Sequence, residues 1–396
     1  MKKQAFLVLM LSALLLTGCG GAEQSKNNKG GSQSNNNTSE SSNNQNDQIE
    51  DLGTLDFHTD LMNQYLEDTW DSILNYVPKV NAEDSSYHND QSQPNPLRLE
   101  FDEVDEADNY YVEIAKNAEF TDSKKVESTN KYYNFYNSEL GQEYYYRAAD
   151  SEEGLADAKV KKFKVCDVAP RFMHVDGVIN FRDCGGWSSS LVEGAKVKQG
   201  MYYRCAQFNS ITAEGKATIK ELGIKVDVDM RDSYNVPSTS PLKTEDWDVE
   251  ILKASVASST EDGRWEGDHS RDHNIAATYK KIFEAIAVAD EKPIALHCTH
   301  GADRTGIVSW FLLGLLGVSK DDCSRDYVMT RFAGERAVLP SGSSSEIAKW
   351  NAKTEALEGA TWADKTYKHL NEDFGIEVDT LETIREKFVP GYVRAA

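Results

Sequence analysis

The chain has 396 residues, 39% of them hydrophobic and 27% charged, and carries a formal net charge of −22. That length accommodates two domains, each with its own core. The charge excludes nucleic acid as a partner, because binding that polymer requires clustered Lys and Arg to displace its counterions. Any anion must be held by a local constellation of donors.

At the N-terminus, "MKKQAFLVLMLSALLLTGCG" places Lys2 and Lys3 before an apolar stretch, Ala5 to Leu16, that is too short for an ordinary membrane-spanning helix. Residues 1–19 therefore read as an export signal. Its end, Leu16-Thr17-Gly18-Cys19, resembles the lipobox of bacterial lipoproteins. The resemblance implies lipidation of Cys19, a membrane anchor made of acyl chains and an extracytoplasmic location for the rest of the chain. The six cysteines are too few for a disulfide scaffold in a chain this long. With Cys19 given to lipid, Cys166, Cys184, Cys205, Cys298 and Cys323 remain, an odd set that points to at least one working thiol.

Residues 20–51 are nearly all Ser, Asn, Gln, Gly and charge, which predicts a disordered linker. Residues 52–93 read as a helical or irregular segment, with Leu61, Tyr65, Trp70 and Ile73 at roughly helical spacing. Across residues 94–167 the runs "LRLEFD", "NYYVEIAK", "KYYNFY", "EYYYRAAD" and "KVKKFKV" alternate with period two between turn residues, the pattern of a small β-sandwich. This segment resembles a fibronectin type III domain, with Tyr145 or Tyr146 in the place of its tyrosine corner. It is expected to be a spacer or docking module without catalytic residues.

Residues 168–396 alternate β and α signals. "GIKVDVDM" reads as a strand, "AATYKKIFEAIAVA" as a helix, "PIALH" as a short buried strand and "RTGIVSWFLLGLLG" as an apolar helix. The predicted fold class is α/β, a mostly parallel central sheet flanked by helices, with the small β-sandwich preceding it. Ligands of such sheets bind beyond the carboxyl ends of the strands. There the chain reads "HCTHGADRTG", His297 to Gly306.

A cysteine with an arginine six positions on, a histidine before it, a glycine between and a hydroxyl after occurs by chance about once in ten thousand at average residue frequencies. The chemistry is coherent. A loop from Cys298 to Arg304 between a strand and a helix start can turn its amides inward as a nest for phosphate, formed by Thr299, His300, Gly301, Ala302, Thr305 and Gly306. The Arg304 guanidinium completes the clamp bidentately. The same donors lower the pKa of Cys298, so that its thiolate can attack phosphorus. Thr305 is placed to hydrogen-bond the sulfur, and His297 to order the loop rather than act as a base. His300 is either a wall of the pocket or a tolerated loop residue. Asp303 can protonate the leaving oxygen and later activate water, or else serves as a helix cap.

With these residues in view, the segment from 169 onward resembles the bacterial tyrosine phosphatases that combine an "NFRD" segment with a His-Cys-x-x-Gly-Lys-Asp-Arg-Thr-Gly loop. "INFRDCGGW", "MYYRCAQF", "GIKVDVDMRD", "RDYVMTRF" and the closing "YKHLNEDFGIEVDTLETIREKF" follow in the family's order. The resemblance implies Cys298 as nucleophile, Arg304 as phosphate binder and Asp303 as acid. It also implies support from Asn180, Arg182, Asp183, Arg204 and Arg231, with no metal or other cofactor.

The sequence departs from the family at three places. Ala302 replaces the loop lysine, removing a cation that would favour substrates with a second phosphate. Cys184 and Cys205 stand where a hydrophobic and a small hydroxyl residue are usual. These two are either small buried residues or thiols able to pair reversibly with Cys298. In "EDWDVE", Trp247-Asp248 is similar to the mobile acid loop of eukaryotic tyrosine phosphatases, which makes Asp248 a second-choice acid.

The expected function is that of a phosphomonoesterase working through a phosphocysteine, with a phosphorylated protein or small phosphomonoester as substrate. Phosphotyrosine is the first choice, and an inositol phosphate or phosphoinositide the alternative. A noncatalytic phosphate-binding or adhesion lipoprotein is the rival of another class.

Overall fold

The computed structural model describes residues 49–67, 92–231, 235–256, 275–333 and 346–394. The expected signal, Cys19, nearly all of the linker, and Trp70 and Ile73 lie outside the described residues. The first module contains β1 (Glu50–Leu55), α1 (Asp60–Glu67), β2 (Leu97–Glu100), β3 (Tyr110–Ala115), β4 (Lys124–Ser128), β5 (Tyr132–Phe135), β6 (Glu143–Ala149) and β7 (Lys161–Val165). Five strands form a sheet in the order β1-β7-β6-β3-β4, and β2 pairs with β5 in a second sheet. The alternation seen in the sequence puts Leu97 and Leu99 of β2, Tyr144 and Tyr146 of β6, and Phe163 and Val165 of β7 into the core.

Three details differ from expectation. A strand begins at Glu50, inside the stretch read as linker and helical segment, and runs parallel to β7. "EDLGTL" has only Leu52 and Leu55 to pack, both half-buried, so backbone pairing holds this strand and the hydrophobic pattern is faint. The β4 strand is likewise exposed or half-exposed along its length, as an edge strand can be. Finally, the local tyrosine bond is made by Tyr144, one position from the expected Tyr145 or Tyr146. Its hydroxyl accepts the amide of Glu139 at 3.1 Å, while Tyr146 donates to the carbonyl of Glu100 at 2.9 Å. The pleat decides this, since Tyr144 and Tyr146 face inward and Tyr145 outward.

The second module continues with β8 (Arg171–Phe172), β9 (Arg182–Asp183), β10 (Tyr202–Cys205), α2 (Ala213–Glu221), β11 (Val226–Asp229), β12 (Glu250–Lys253), α3 (Ile275–Ile286), β13 (Ile294–His297), α4 (Asp303–Leu315), α5 (Lys320–Val328), α6 (Glu346–Glu355), α7 (Trp362–Lys368) and α8 (Val378–Phe388). The sheet order is β12-β11-β13-β10-β9-β8. The strands β12, β11, β13 and β10 are mutually parallel, whereas β9 and β8 are antiparallel. The predicted α/β class is the one observed. Every residue of β10, β11 and β13 is buried, because helices cover a parallel sheet on both faces.

The central helix α4 is buried from Thr305 to Leu315, and so is apolar all round rather than on one stripe. It starts directly after the loop that leaves β13. The modules are docked to one another. Arg171 donates to the carbonyls of Ser138 at 2.9 Å and Asn137 at 2.8 Å, Tyr65 of α1 donates to the carbonyl of Arg325 at 3.0 Å, and one apolar cluster runs from Phe163 to Phe172 and Phe332.

Candidate active site

The strand β13 ends at His297, and α4 begins at Asp303, so Cys298 to Ala302 form a tight connection at the carboxyl ends of the parallel strands. Every carbonyl from 297 to 302 is occupied by a donor. His297 O accepts the Met230 amide at 2.9 Å, Cys298 O accepts His297 Nδ1 at 2.9 Å, and Thr299 O accepts the Gln207 amide at 3.1 Å. His300 O accepts Asn180 Nδ2 at 3.1 Å, Gly301 O accepts Arg204 Nη2 at 2.7 Å, and Ala302 O accepts the Gly306 amide at 2.9 Å. Carbonyls held in this way leave the amides to face the concave side, and that is how a chain makes an anion nest.

The helix start carries no side-chain cap, so its first amides and the positive end of the helix dipole join the nest. Gly301 is required at its position. Its φ is +69°, and a Cβ there would lie 2.3 Å from the carbonyl oxygen of Cys205.

Cys298 is buried at the bottom of this turn. Burial alone would raise its pKa. The Arg304 charge, the Thr305 hydroxyl and the amides of Thr305 and His300 outweigh burial and hold the thiol below its ordinary 9.0. Thr305 Oγ1, buried and without another polar partner, is turned towards that sulfur. Arg304 Nη1 donates to the carbonyls of Met230 at 3.1 Å and Val256 at 3.3 Å, which fixes the guanidinium plane beside the loop.

His297 is buried between Asp227, with Nε2 to Oδ1 at 3.0 Å, and the carbonyl of Cys298. Burial opposes its charge, yet the Asp227 hydrogen bond and the Asp227 and Asp229 carboxylates raise its pKa. Nδ1 must carry a proton to donate to a carbonyl. Both of its ring nitrogens are thus engaged, one with the loop carbonyl and one with Asp227.

Beneath the loop lies a buried network that the local sequence motifs reveal only in part. Asp326 of α5 accepts Arg182 Nε at 2.8 Å and Arg204 Nη1 at 2.5 Å. Arg182 also donates to Asn180 Oδ1, and Asn180 in turn holds His300 O. Thus Asn180, Arg182 and Arg204 gather at the loop, and Asp326 joins them. Two arginines against one carboxylate leave a positive charge under a nest built for an anion. Burial works to raise the Asp326 pKa, but the two arginines prevail and lower it. The sequence held a signal for Asp326 in "RDYVMTRF", an acid on an otherwise apolar helix face. Asp227 carried a similar signal, as an inward acid in the alternation of "VDVD".

Three expected site residues are placed otherwise. Asp183 follows Arg182 on a strand and so points to the opposite side. It binds Arg171 at 2.8 Å and the amides of Gly185 and Gly200, which ties it to the module junction and not to the loop. Arg231 is committed to Asp229 at 2.6 Å and to Gln207 and Asn209, each at 3.1 Å, so it shapes the wall beside the loop with its charge already balanced. Asp248 precedes β12, and the register of Glu250 opposite Val226 puts it at the amino ends of the parallel strands, across the sheet from Cys298. It is 81% exposed and paired with Lys243 at 2.7 Å, and therefore cannot serve as the acid in this arrangement.

Asp303 is half-buried at the first helical position, 3.5 Å from the Tyr327 hydroxyl. His300 is exposed, and its carbonyl serves the loop. Cys184 and Cys205 are free, buried thiols whose pKa values burial pushes well above 9.0. Beside the loop is an open cavity of about 570 Å³, lined by Gln207, Phe208, Asn209, Lys216, Arg231 and Thr299 among others. Among the described residues, the one cluster of three potential metal ligands, Asp56, His58 and Cys166, lies in the first module and not here.

A parallel sheet delivering a cysteine-centred anion nest to the head of a buried helix defines the architecture of a cysteine-dependent phosphatase. By sequence comparison the chain belongs to the tyrosine phosphatase family, which it matches over residues 173–390. It is 27% identical over 146 residues to a tyrosine-protein phosphatase of Nostoc commune, covering 33% of this chain and 48% of that protein. It is 25% identical over 190 residues to the triple specificity protein phosphatase PtpB of Mycobacterium tuberculosis, covering 38% and 66%. The chain thus spans between about half and two thirds of these relatives. Among solved structures, TpbA of P. aeruginosa is similar at 15% identity and a TM-score of 0.25, over 50% of this chain and 96% of that one.

Proposed function

We propose that this chain is a lipid-anchored, extracytoplasmic phosphomonoesterase that hydrolyses phosphotyrosine through a phosphocysteine. The observation that carries the reading is the tethering of six consecutive carbonyls, from His297 at the end of the strand to Ala302 at the helix start, around a buried cysteine of lowered pKa. The phosphoryl oxygens take the loop amides and Arg304, and the Cys298 thiolate attacks phosphorus in line with the ester oxygen. The S–P bond forms as the P–O bond breaks, and Asp303 gives its proton to the departing oxygen. Water then attacks phosphorus, returning a proton to Asp303, and the sulfur leaves as a thiolate that the Thr305 hydroxyl stabilises. Charge on the equatorial oxygens meets donors already in place. Anchoring through Cys19 would set this module outside the membrane, with the β-sandwich as its fibronectin type III-like companion.

A second reading, an inositol phosphate or phosphoinositide phosphatase, draws on Lys216. It lines the cavity next to Thr299 and could meet a second anionic group. The test is phosphate release by the full chain from a phosphotyrosine peptide, a phosphoserine peptide, a phosphoinositide and phytate, alongside Cys298→Ser. Cysteine-dependent turnover concentrated on phosphotyrosine supports the proposal, and preference for the inositol substrates replaces it with the second reading. Absence of turnover on all four under reducing conditions leaves a phosphate-binding lipoprotein. Membrane association lost in Cys19→Ala is the matching test of the anchor.

A further inference from the structure

Three donors from separate parts of the first module converge where β1 and β7 end. Asp56 and His58 follow β1, Cys166 follows β7, and their ligand atoms all lie within 4.8 Å of one another. The imidazole of His58 is buried and its orientation is fixed, since Nε2 lies 2.8 Å from the carbonyl of Pro170 and must donate to it. That leaves Nδ1 facing both other groups, with Asp56 Oδ1 at 2.7 Å and Cys166 Sγ at 3.6 Å. In a nucleophile–histidine–carboxylate relay the thiol and the acid address opposite ring nitrogens. Here both address the same one, so the arrangement does not fit a relay. It fits three ligands around one point.

We propose that Asp56, His58 and Cys166 bind a zinc-class divalent cation, through Asp56 Oδ1, His58 Nδ1 and Cys166 Sγ, with water in the fourth position. The ligand set is one thiolate, one imidazole and one carboxylate, the borderline-soft mixture that zinc accepts. Ligand atoms about 2.0–2.3 Å from a tetrahedral zinc stand roughly 3.3–3.6 Å apart. The sulfur–nitrogen separation already matches at 3.6 Å. The carboxylate must withdraw by about half an ångström against the His58 amide that holds Oδ1 at 2.9 Å, and at 40% exposure Asp56 has open solvent into which to move.

The surroundings are those of a held ligand set. Asn63 Nδ2 donates to Asp56 Oδ2 at 2.9 Å, and the amides of Phe57 and Val168 donate towards the Cys166 sulfur. In the metal-free chain burial and the neighbouring Asp56 carboxylate push the Cys166 thiol up to about 12, so the sulfur keeps its proton until a cation displaces it. Binding releases the thiol proton to solvent. Because Pro170 precedes β8, the cation would clamp the edge strand of the sandwich to the entry of the catalytic sheet, away from Cys298. Cys166 precedes the segment that matches the phosphatase family.

The test is cobalt substitution in the full chain, read by absorption and by metal analysis after dialysis. The expected result is one cobalt per chain, with a thiolate-to-cobalt charge-transfer band and the visible bands of a tetrahedral site. Cys298→Ser keeps the bands, and Cys166→Ser loses the charge-transfer band. Asp56→Asn keeps the band but weakens affinity by roughly tenfold or more, since even outer-shell partners contribute about 10- to 100-fold. Zinc should also raise the Tm of the wild-type chain, and a chelator should reverse the rise. Cobalt bands that persist in Cys166→Ser, vanish in Cys298→Ser, or never form in the wild type overturn the proposal. The wild-type and Asp56→Asn measurements decide it even if Cys166→Ser does not fold.

Discussion

Replacing Asp326 by Asn would test the idea that a buried charge network, and not the loop sequence alone, shapes the phosphate nest. The carboxylate is 1% exposed and serves two guanidinium groups that are each 0% exposed. Removing its charge strands both cations in a dry interior, a change that costs about 3–5 kcal/mol for a buried pair. At roughly 2–4 °C per kcal/mol for a module of about 200 residues, the expected fall in Tm is about 6–20 °C. The side chains of Arg204 and Asn180 would also release Gly301 O and His300 O, so inorganic phosphate should bind more weakly at temperatures where the variant remains folded.

The network also has a pH signature. The folded pKa of Asp326 is lowered from 3.8, so its stabilisation is present above the unfolded value and disappears as pH falls through the folded one. The Tm gap between wild type and Asp326→Asn should accordingly be full at neutral pH and close only below the ordinary carboxylate range. Calorimetry across pH reads both effects. A neutral-pH Tm within about 2 °C of wild type, together with unchanged phosphate affinity, would refute the reasoning.

Alkylation of Cys298 by iodoacetamide should rise with pH through a midpoint below 9.0, and Arg304→Ala should move that midpoint upward because it removes the principal favourable charge; an unmoved midpoint would count against the assigned cause. Gly301→Ala should reduce kcat/KM by at least about tenfold and lower stability by roughly 1–3 kcal/mol, from left-handed backbone and the close carbonyl, as measured by steady-state kinetics and thermal unfolding. Asp303→Asn should slow turnover most with poor leaving groups, while Asp248→Asn should leave that dependence as in wild type, and the opposite result would reinstate Asp248. Peptide mapping without reductant after mild peroxide should find Cys184 and Cys205 still as thiols, since burial keeps both protonated; a Cys298–Cys205 crosslink would show that the thiols meet.

The site was legible where the chemistry is local. Cys298, Arg304 and Thr305 stand in one short run, and a strand-loop-helix context suffices to predict which way their donors face. The apolar helix and the strand before the loop were legible too, because their burial leaves "PIAL" and "IVSWFLLGLLG" without charge. Positions whose meaning is set across the sheet were harder. Arg182 and Asp183 are adjacent, yet a pleat sends one to the loop and the other to Arg171 of the module junction. Asp248 sits in a suggestive dipeptide, but only the pairing of Glu250 with Val226 reveals which end of the sheet it occupies. The strand from Glu50 to Leu55 was hidden for another reason. Partner strands, not apolar side chains, hold it, and a single sequence does not display its partners.

The helix that presents the nest is also the hub of the catalytic core, with every residue from Thr305 to Leu315 buried. Its backbone amides should therefore exchange hydrogen with solvent only when the whole module unfolds, and the phosphate loop is anchored at its foot. Catalytic competence and global stability then rise and fall together. A substitution at Leu312 or Trp310, on the buried body of that helix, should silence the site by the same amount that it populates the unfolded chain.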